Sequence, residues 1–461
     1  MDYRLYIENF GKIKSANIQV KPFTLLVGDN NSGKSYLLSL IWKVQNLYLF
    51  DSFFQILKEK KSREYSLLYE KIFLTIKKAI DSEVTTFSVS TKELEKIWNY
   101  LFENGKERLI RDLFNYNNME IGKLKLEIEE KEIFITISKK LDRIGINYIV
   151  ENGRSSEFSA HREQMEGLEQ REEIIFLIIN KLLLEVIRNG YDREAIYLPA
   201  ARTGFMLSKD IINQVARRST FDLMIGNDEG AKASLQPFPK PIIHFLDSLE
   251  SLRIDNEIEY EGIAQIVQWI EEEMVKGTIK YQQLGNKEIQ YVPYGKEQGI
   301  PLRASSAVVT ELTPLVLLLK YGNSMLKTLC YEEPEMCLHP QLQLEMGKLL
   351  IRLVNNDINI ITTTHSDIIL QHVNNMCRAF RLANADESGQ VKEKLNQFEL
   401  IKEDLIDINQ VAVYQLTDHG SFSTVEEIEP EKDGFYVPTF SNALMNILEQ
   451  TTEINDITDE E

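Results

Sequence analysis

Residues 28–35 of the sequence have the residue types and the spacing of a phosphate-binding loop. They read GDNNSGKS and match the pattern G-x-x-x-x-G-K-S at every fixed position. In such a loop the backbone N–H groups surround a phosphate, the lysine binds the β- and γ-phosphate oxygens, and the hydroxyl binds Mg²⁺. The segment therefore predicts a site for ATP and Mg²⁺, with Ser35 as a metal ligand. The predicted phosphate-binding residues are Gly28, Asp29, Asn30, Asn31, Ser32, Gly33, Lys34 and Ser35.

Two adjacent carboxylates follow an apolar segment, in the sequence TLCYEEPE over residues 328–335. Because adjacent residues on an extended strand point in opposite directions, one carboxylate can approach the metal and the other an attacking water. This pattern predicts Glu332 as a metal-side residue and Glu333 as the general base. The alternative is a pair of solvated acids before a turn, which the phosphate-binding loop in the same chain disfavours.

A histidine and two serines complete the set of candidate site residues. His365 follows the apolar segment 358–364, where a neutral imidazole can hydrogen-bond the γ-phosphate or hold the attacking water. Its alternative role is that of a hydrogen-bonded structural residue. Ser305 and Ser306 open a helix before Pro314, and a helix N-terminus of this kind can bind an anion. The simpler interpretation of the serines is a helix cap.

The elements around these motifs predict an α/β fold. The β-favouring segment 23–27 precedes the loop, and apolar residues at helical spacing follow it. Segments 328–331 and 358–364 are predicted strands that alternate with helices over 310–321 and 341–355, which favours a mixed or parallel sheet.

The intervening segment changes its hydrophobic period. Residues 48–118 have a charged, helical pattern, whereas residues 121–150 alternate with period two and predict three antiparallel strands. The acidic residues at positions 426, 427, 429 and 431 predict a charged loop. We therefore expect four regions: an N-terminal part with the phosphate-binding loop (1–47), a helical insertion with a small antiparallel sheet (48–194), a C-terminal part with the two serines, the carboxylates and the histidine (195–420) and an acidic C-terminal segment (421–461).

Composition limits the class of protein. The 461 residues carry 52 basic and 71 acidic side chains, a net charge of −19, which disfavours a nucleic-acid coat protein. A short basic run comprises Lys58, Lys60, Lys61 and Arg63. These residues could bind DNA, or they could simply form the solvated face of a helix. The sequence has three cysteines, which is typical of a reducing compartment. It has no apolar segment of about 18 residues and no signal-peptide pattern. These features predict a cytoplasmic protein without a membrane segment.

In their order along the chain, these motifs resemble those of ABC-type ATPase heads of the SMC, RecF and overcoming-lysogenization-defect lineage. EEPE at 332–335, LHP at 338–340, THS at 364–366 and NFG at 9–11 are similar to segments of that lineage. The resemblance implies an ABC-type, Mg-dependent ATPase head, here without a long coiled coil because no sustained heptads occur. It also implies a homodimer or a higher even-numbered oligomer, in which Ser305 and Ser306 complete the ATP site of a second subunit. Ala307 stands where that family usually has glycine.

Residues 197–204, YLPAARTG, further resemble a segment of compact ATPases of anti-phage systems such as Septu, PARIS and retron-linked cassettes. This resemblance implies an ATP-binding and ATP-hydrolysing subunit of a bacterial defence complex that responds to a phage-derived trigger and controls a separate nuclease or toxin. One alternative is a RecF- or SMC-like DNA-repair ATPase that binds duplex DNA. A second alternative is a nucleotide-locked scaffold with negligible hydrolysis.

Overall fold

The structure, a computed structural model, describes residues 3–47, 56, 63–81, 84–139, 143–150, 154–161, 168–188, 194–208, 212, 238–253, 260–281, 288–322, 326–386, 389–432, 434–438 and 448–452. The basic run at Lys58, Lys60 and Lys61 lies outside these ranges, as do residues 453–461 of the acidic C-terminal segment.

The strands described by the structure form one large sheet and two small ones. In chain order they are β1 (Tyr3–Phe10), β2 (Ile13–Val20), β3 (Phe23–Gly28), β4 (Val84–Ser90), β5 (Ile121–Ile128), β6 (Glu132–Lys139), β7 (Arg143–Val150), β8 (Arg154–His161), β9 (Glu194–Leu198), β10 (Gly277–Tyr281), β11 (Ile289–Pro293), β12 (Ile300–Pro301), β13 (Leu326–Glu332), β14 (Asn359–Thr364), β15 (Val411–Asp418) and β16 (Ser423–Ile428).

Helices cover the large sheet on both faces. In chain order they are α1 (Lys34–Gln45), α2 (Arg63–Asp81), α3 (Thr91–Phe114), α4 (Leu168–Arg188), α5 (Lys240–Glu250), α6 (Glu261–Trp269), α7 (Ala307–Tyr321), α8 (Pro340–Asn355), α9 (Asp367–Ala385) and α10 (Gln390–Gln397). A π-helical turn (Ile270–Val275) continues α6. Among the helices within the described ranges, none is both long enough and apolar enough to cross a membrane.

The large sheet has nine strands within the described residues, in the order β5-β1-β2-β16-β15-β3-β14-β13-β9. The five strands from β15 to β9 run parallel to one another, whereas β1 pairs antiparallel with both β2 and β5. The predicted α/β fold with a mixed sheet, separate antiparallel strands and helices is therefore confirmed. Because the five strands are parallel, their carboxyl ends meet at one edge, which is where ligands bind in folds of this class.

The hydrophobic core lies in two layers, one on each face of this sheet. Along β3, Leu26 packs into one cluster of buried residues, whereas Leu25 and Val27 pack into the other. Strand β14 divides in the same way, with Ile361 on the first side and Ile360 on the second. Strands that are buried on both faces read as continuous apolar runs, which explains the segment FTLLV at 23–27.

The predicted antiparallel sheet over 121–150 differs in the structure. Strand β5 pairs with β1 in the large sheet, whereas β6 and β7 lie in a four-stranded sheet of order β4-β6-β7-β8. Strand β4 also interrupts residues 48–118, whose sequence pattern predicts helices. A period of two identifies strands but not their partners, and β5 finds its partner more than 100 residues earlier in the chain.

The prediction of a charged loop at positions 426–431 is wrong for its first two glutamates. Glu426 and Glu427 lie in β16, which pairs with β15 and with β2 inside the large sheet. Glu426 is exposed and Glu427 is partly buried, 3.5 Å from Arg4. Because adjacent residues of a strand point to opposite faces, these two glutamates hide the period of β16. Part of the region 421–461 therefore belongs to the main sheet.

Candidate functional site

The candidate site lies where three neighbouring parallel strands end. The loop 28–35 follows β3, and His365 comes directly after β14. Of the two carboxylates, Glu332 is the last residue of β13 and Glu333 is the next residue along the chain. Since β14 lies between β3 and β13, the three motifs meet at one edge of the sheet although they span more than 330 residues of the chain.

The backbone of the loop adopts the conformations that its residue types allow. Gly28 and Gly33 have φ values of +131° and +99°, and Asn31 has φ +59°. Glycine reaches these angles without a steric cost, and asparagine tolerates the left-handed region better than most residues do. Ser32 donates a hydrogen bond to the carbonyl of Asp29 (2.8 Å), and the side chains of Asn30 and Asn31 are exposed. Helix α1 begins directly after Gly33, so its N-terminus faces the loop.

Gly28 is held against the neighbouring strand β15. A Cβ atom at this position would lie 2.0 Å from the carbonyl oxygen of Leu416, and a backbone atom of a sheet strand has little room to move away. The N–H of Asp29 donates to the same carbonyl (3.2 Å). The first glycine of the motif is thus required by contact as well as by its φ angle.

We therefore expect Gly28→Ala to lower the free energy of unfolding by about 1–3 kcal/mol or more and to weaken ATP binding, because the loop has to shift. Chemical denaturation and ATP titration measure the two effects. Gly420→Ala is the control, because Gly420 also has a positive φ (+83°) but has open space around its Cβ position. Equal losses of stability in the two variants would contradict the role assigned to the contact with Leu416.

Lys34 is the buried cation of the site. Its side chain is 6% exposed, and its ammonium group donates to the carbonyls of Gly28 (3.0 Å) and Asp29 (2.6 Å). Burial lowers the pKa of Lys34, while the nearby carboxylates of Glu333, Asp29 and Glu335 oppose this shift. A buried ammonium group surrounded by acceptors at a loop of this shape is suited to bind phosphate oxygens.

Ser35 and Glu332 are the oxygen donors that would hold Mg²⁺. Ser35 is exposed at the start of α1, and Glu332 is 8% exposed at the end of β13. One carboxylate oxygen of Glu332 accepts a hydrogen bond from the N–H of Ala200 (3.0 Å), which fixes the side chain. A hydroxyl and a carboxylate are the hard oxygen ligands that Mg²⁺ prefers together with phosphate oxygens and water, so the donor set fits this metal.

Glu333 has a strained backbone and an accessible carboxylate. Its φ of +42° lies in the left-handed region, which is uncommon for a residue with a side chain. Its N–H donates to the carbonyl of Thr363 (3.0 Å), and its carboxylate lies 3.9 Å from Nε2 of His365. Strain of this kind persists only where the surroundings enforce it, and it occurs often at functional sites. At Glu333 the left-handed backbone conformation ends the extended strand β13 and places the carboxylate beside His365.

Glu335 joins the carboxylate strand to the histidine. Its two carboxylate oxygens accept hydrogen bonds from the backbone N–H of His365 (2.6 Å) and from the hydroxyl of Thr364 (2.9 Å). Burial raises the pKa of Glu335, and these two hydrogen bonds oppose the shift. Burial and the nearby Lys34 lower the pKa of His365, which favours the neutral imidazole, while the carboxylates of Glu333 and Asp29 oppose this shift. Sequence reasoning assigned no role to Glu335, although the motif EEPE contains it.

Arg202 is a second residue at this site to which sequence reasoning assigned no role. It is completely buried, and its guanidinium group donates to the carbonyls of both Glu332 and Glu333. The only signal in the sequence is its place in the segment YLPAARTG at 197–204, which begins in the last two residues of β9 and continues beyond the same edge of the sheet.

Ser305 and Ser306 lie at the start of α7. Ser306 is the N-cap of this helix, with its hydroxyl accepting from the N–H of Val309 (3.4 Å), and its side chain is exposed. Ser305 donates to the carbonyl of Pro301 (3.4 Å). Within the part of the chain that the structure describes, no hydrogen bond or ion pair connects either serine to residues 28–35.

A phosphate-binding loop between β3 and α1, with carboxylates at the end of a nearby parallel strand, defines a P-loop nucleotide-binding protein of the α/β class. The family profile described as "AAA ATPase domain" matches residues 1–370, and the chain belongs to this family. This match confirms the prediction of an ATPase with a P-loop. Among proteins with a curated function, none matches the chain in sequence.

Several solved structures are similar to this chain at low identity. One is the SMC head bound to the C-winged helix domain of ScpA, with 13% identity, 94% of this chain and 98% of that chain covered, and a TM-score of 0.37. Another is the SMC head domain with an extended coiled coil bound to the C-terminal domain of ScpA from Pyrococcus furiosus, with 13% identity, 98% and 100% coverage, and a TM-score of 0.35. The SMC head domain from Thermotoga maritima has 11% identity, 93% and 99% coverage, and a TM-score of 0.35.

Proposed function

We propose that this protein hydrolyses ATP to ADP and phosphate in the presence of Mg²⁺. The observation that carries the proposal is the convergence of Lys34, Glu333 and His365 at the carboxyl ends of β3, β13 and β14. A site that only binds nucleotide requires the loop and its lysine. The carboxylate of Glu333, 3.9 Å from Nε2 of His365, adds a group that can accept a proton from water.

Each residue then has a distinct task in this mechanism. The N–H groups of the loop and Lys34 bind the β- and γ-phosphates, and Ser35 and Glu332 would hold Mg²⁺, which neutralises charge on the phosphates when bound. Glu333 accepts a proton from the attacking water, while His365 donates a hydrogen bond to the γ-phosphate or to that water. Glu335 accepts from the backbone N–H of His365 and so fixes the backbone that carries the imidazole.

We further propose that the active species is a homodimer or a higher even-numbered oligomer with ATP between subunits. Ser306 and Ala307 are exposed at the N-terminus of α7, where N–H groups and a hydroxyl are available to a phosphate of a second subunit. This arrangement supports a composite site in which each chain contributes its loop to one ATP and its serines to another.

The experiment that tests this proposal mixes two variants. Ser306→Arg places a bulky charge at the exposed helix start, and we expect it to spare ATP binding while ATP hydrolysis falls by at least about 10²-fold. Lys34→Ala removes the other half of the site. A mixture of the two inactive variants forms heterodimers with one intact composite site, so part of the activity should return. Full activity of Ser306→Arg alone, independent of protein concentration, would show that the serines are only a helix cap.

The biological role that we propose is cytoplasmic anti-phage defence, in which ATP-dependent assembly holds or releases a separate nuclease or toxin. Its support is the similarity of YLPAARTG at 197–204 and of the motif set to those of defence ATPases. Mass spectrometry of chains that co-purify with the protein, with and without ATP, tests for this effector. Recovery of the protein alone under both conditions, together with unchanged phage sensitivity of cells that express it beside its neighbouring genes, would contradict this role.

A further inference from the structure

One buried ion pair connects the helix that carries the serines with Arg202, which is hydrogen-bonded to the end of the carboxylate strand. The Nε atom of Arg202 lies 2.7 Å from Oε2 of Glu311, and the two side chains are 0% and 3% exposed. The contact is an ion pair and not an aligned hydrogen bond, because neither atom completes a hydrogen bond within the described residues. Glu311 belongs to α7, five positions after Ser306, so the pair reaches from the second turn of that helix into the core.

The other nitrogen atoms of Arg202 bind backbone carbonyls of the candidate site. Nη1 donates to the carbonyls of Glu332 (2.9 Å) and Pro199 (3.1 Å), and Nη2 donates to that of Glu333 (3.1 Å). The guanidinium carbon also lies 4.8 Å from the ring centre of Tyr331. All three nitrogens are therefore engaged, and the planar fork fixes the two consecutive carbonyls at once.

The position of Glu333 depends on this contact. Its N–H donates to the carbonyl of Thr363, and its carbonyl accepts from Arg202, so the residue is fixed on both sides while its φ is +42°. A left-handed conformation at a residue with a side chain is retained only where such contacts enforce it. Without Arg202, the peptide between Glu333 and Pro334 loses its partner and the carboxylate is free to turn away from His365.

We propose that Arg202, paired with Glu311, is a positioning residue that couples the serine-bearing helix α7 to the orientation of the general base Glu333. A movement of α7 when a second subunit docks on Ser306 is then transmitted through Glu311 and Arg202 to the backbone of Glu333. This inference rests on the proposed ATP hydrolysis, since it assigns the means by which the carboxylate is aligned for that reaction.

The test replaces Arg202 and Glu311 by apolar residues, which separates the alignment of Glu333 from the stability of the fold. Arg202→Met alone leaves the carboxylate of Glu311 buried without its cationic partner and should lower the Tm strongly. The double variant Arg202→Met/Glu311→Leu has side chains of similar volume and no buried charge, so much of the lost Tm should return. It cannot restore the hydrogen bonds to the carbonyls of Glu332 and Glu333. We therefore expect its kcat for ATP to stay about 10²-fold below that of the wild type, with KM within about twofold.

The chain offers a matched control in Arg352 and Asp404. Their charged atoms lie 2.6 Å apart, Asp404 is 0% exposed, and the guanidinium of Arg352 lies 4.3 Å from the ring centre of Trp269. This pair joins α8 to the segment 402–404, and among the described residues it makes no hydrogen bond or ion pair with residues 28–35 or 332–335. We expect Arg352→Met/Asp404→Leu to change the Tm by a similar amount but to leave kcat unchanged.

Two further variants keep the test decisive if the Met and Leu variants do not fold. Glu311→Gln retains the shape of the side chain, and Arg202→Lys retains a cation that reaches only one carbonyl at a time. Both should lower kcat by at least about tenfold at unchanged ATP affinity. A wild-type kcat in the folded double variant, or in both conservative variants, overturns the proposed coupling between α7 and Glu333. A wild-type protein that binds ATP but does not hydrolyse it overturns the proposed function instead.

Discussion

Glu333→Gln is expected to produce a protein that binds ATP and does not hydrolyse it. The substitution keeps the shape of the side chain and leaves Lys34, Ser35 and Glu332 in place, so nucleotide binding should persist. It removes the carboxylate that accepts the proton, and general-base catalysis contributes about 10²–10⁴-fold to a rate. Steady-state phosphate release measures the loss of kcat. Gel filtration in the presence of ATP measures whether the bound state accumulates as a dimer.

Glu332→Gln is the matched comparison, because it makes the same chemical change one residue earlier. The carboxylate of Glu332 is buried and accepts a hydrogen bond from the N–H of Ala200. The neutral side-chain amide of the glutamine in Glu332→Gln would bind Mg²⁺ less well than this carboxylate. We expect weaker binding of Mg-ATP from this variant, with little nucleotide trapped. If Glu332→Gln instead traps ATP and Glu333→Gln hydrolyses it at the normal rate, the two roles are reversed.

The parts of the site that could be predicted from the sequence are those encoded by contiguous residues. The loop GDNNSGKS is a local motif, since its glycines, lysine and serine act within one turn between a strand and a helix. The same holds for the strands at 23–27 and 358–364, whose apolar runs require burial on both faces. In a parallel sheet the ends of such strands share an edge, which brings Lys34, Glu333 and His365 together.

The parts that could not be predicted depend on contacts between distant segments. Arg202 and Glu311 are separated by 311 − 202 = 109 positions, and neither side chain reveals its partner in the sequence. The left-handed backbone of Glu333 is equally invisible, because it is imposed by Thr363 and Arg202 and not by the residue itself. Strand β5 shows the same limit for the fold, since its period of two does not say which sheet it joins.

The removal of Lys34 should have the largest effect on ATP binding. Its ammonium group donates to the carbonyls of Gly28 and Asp29 and is the cation that offsets the carboxylates of Glu333 and Glu335. In Lys34→Ala these carboxylates face the phosphates without that cation. Two charge-assisted hydrogen bonds contribute about 1.5–3 kcal/mol each. At about 1.4 kcal/mol per tenfold, the Kd for ATP should rise by roughly 10²–10⁴-fold.

A control in the same helix separates this effect from lost packing. Lys43 is also buried in α1, at 5% exposed compared with 6% for Lys34, but its ammonium group pairs with Asp112 at 2.6 Å, away from the loop. Lys43→Ala should therefore lower the Tm without changing the Kd for ATP. Titration calorimetry with Mg-ATP on both variants and the wild type measures the difference. An unchanged Kd in Lys34→Ala would refute the assignment of residues 28–35 as a phosphate-binding loop. An equal rise of Kd in both variants would attribute the effect to helix α1 and not to the Lys34 charge.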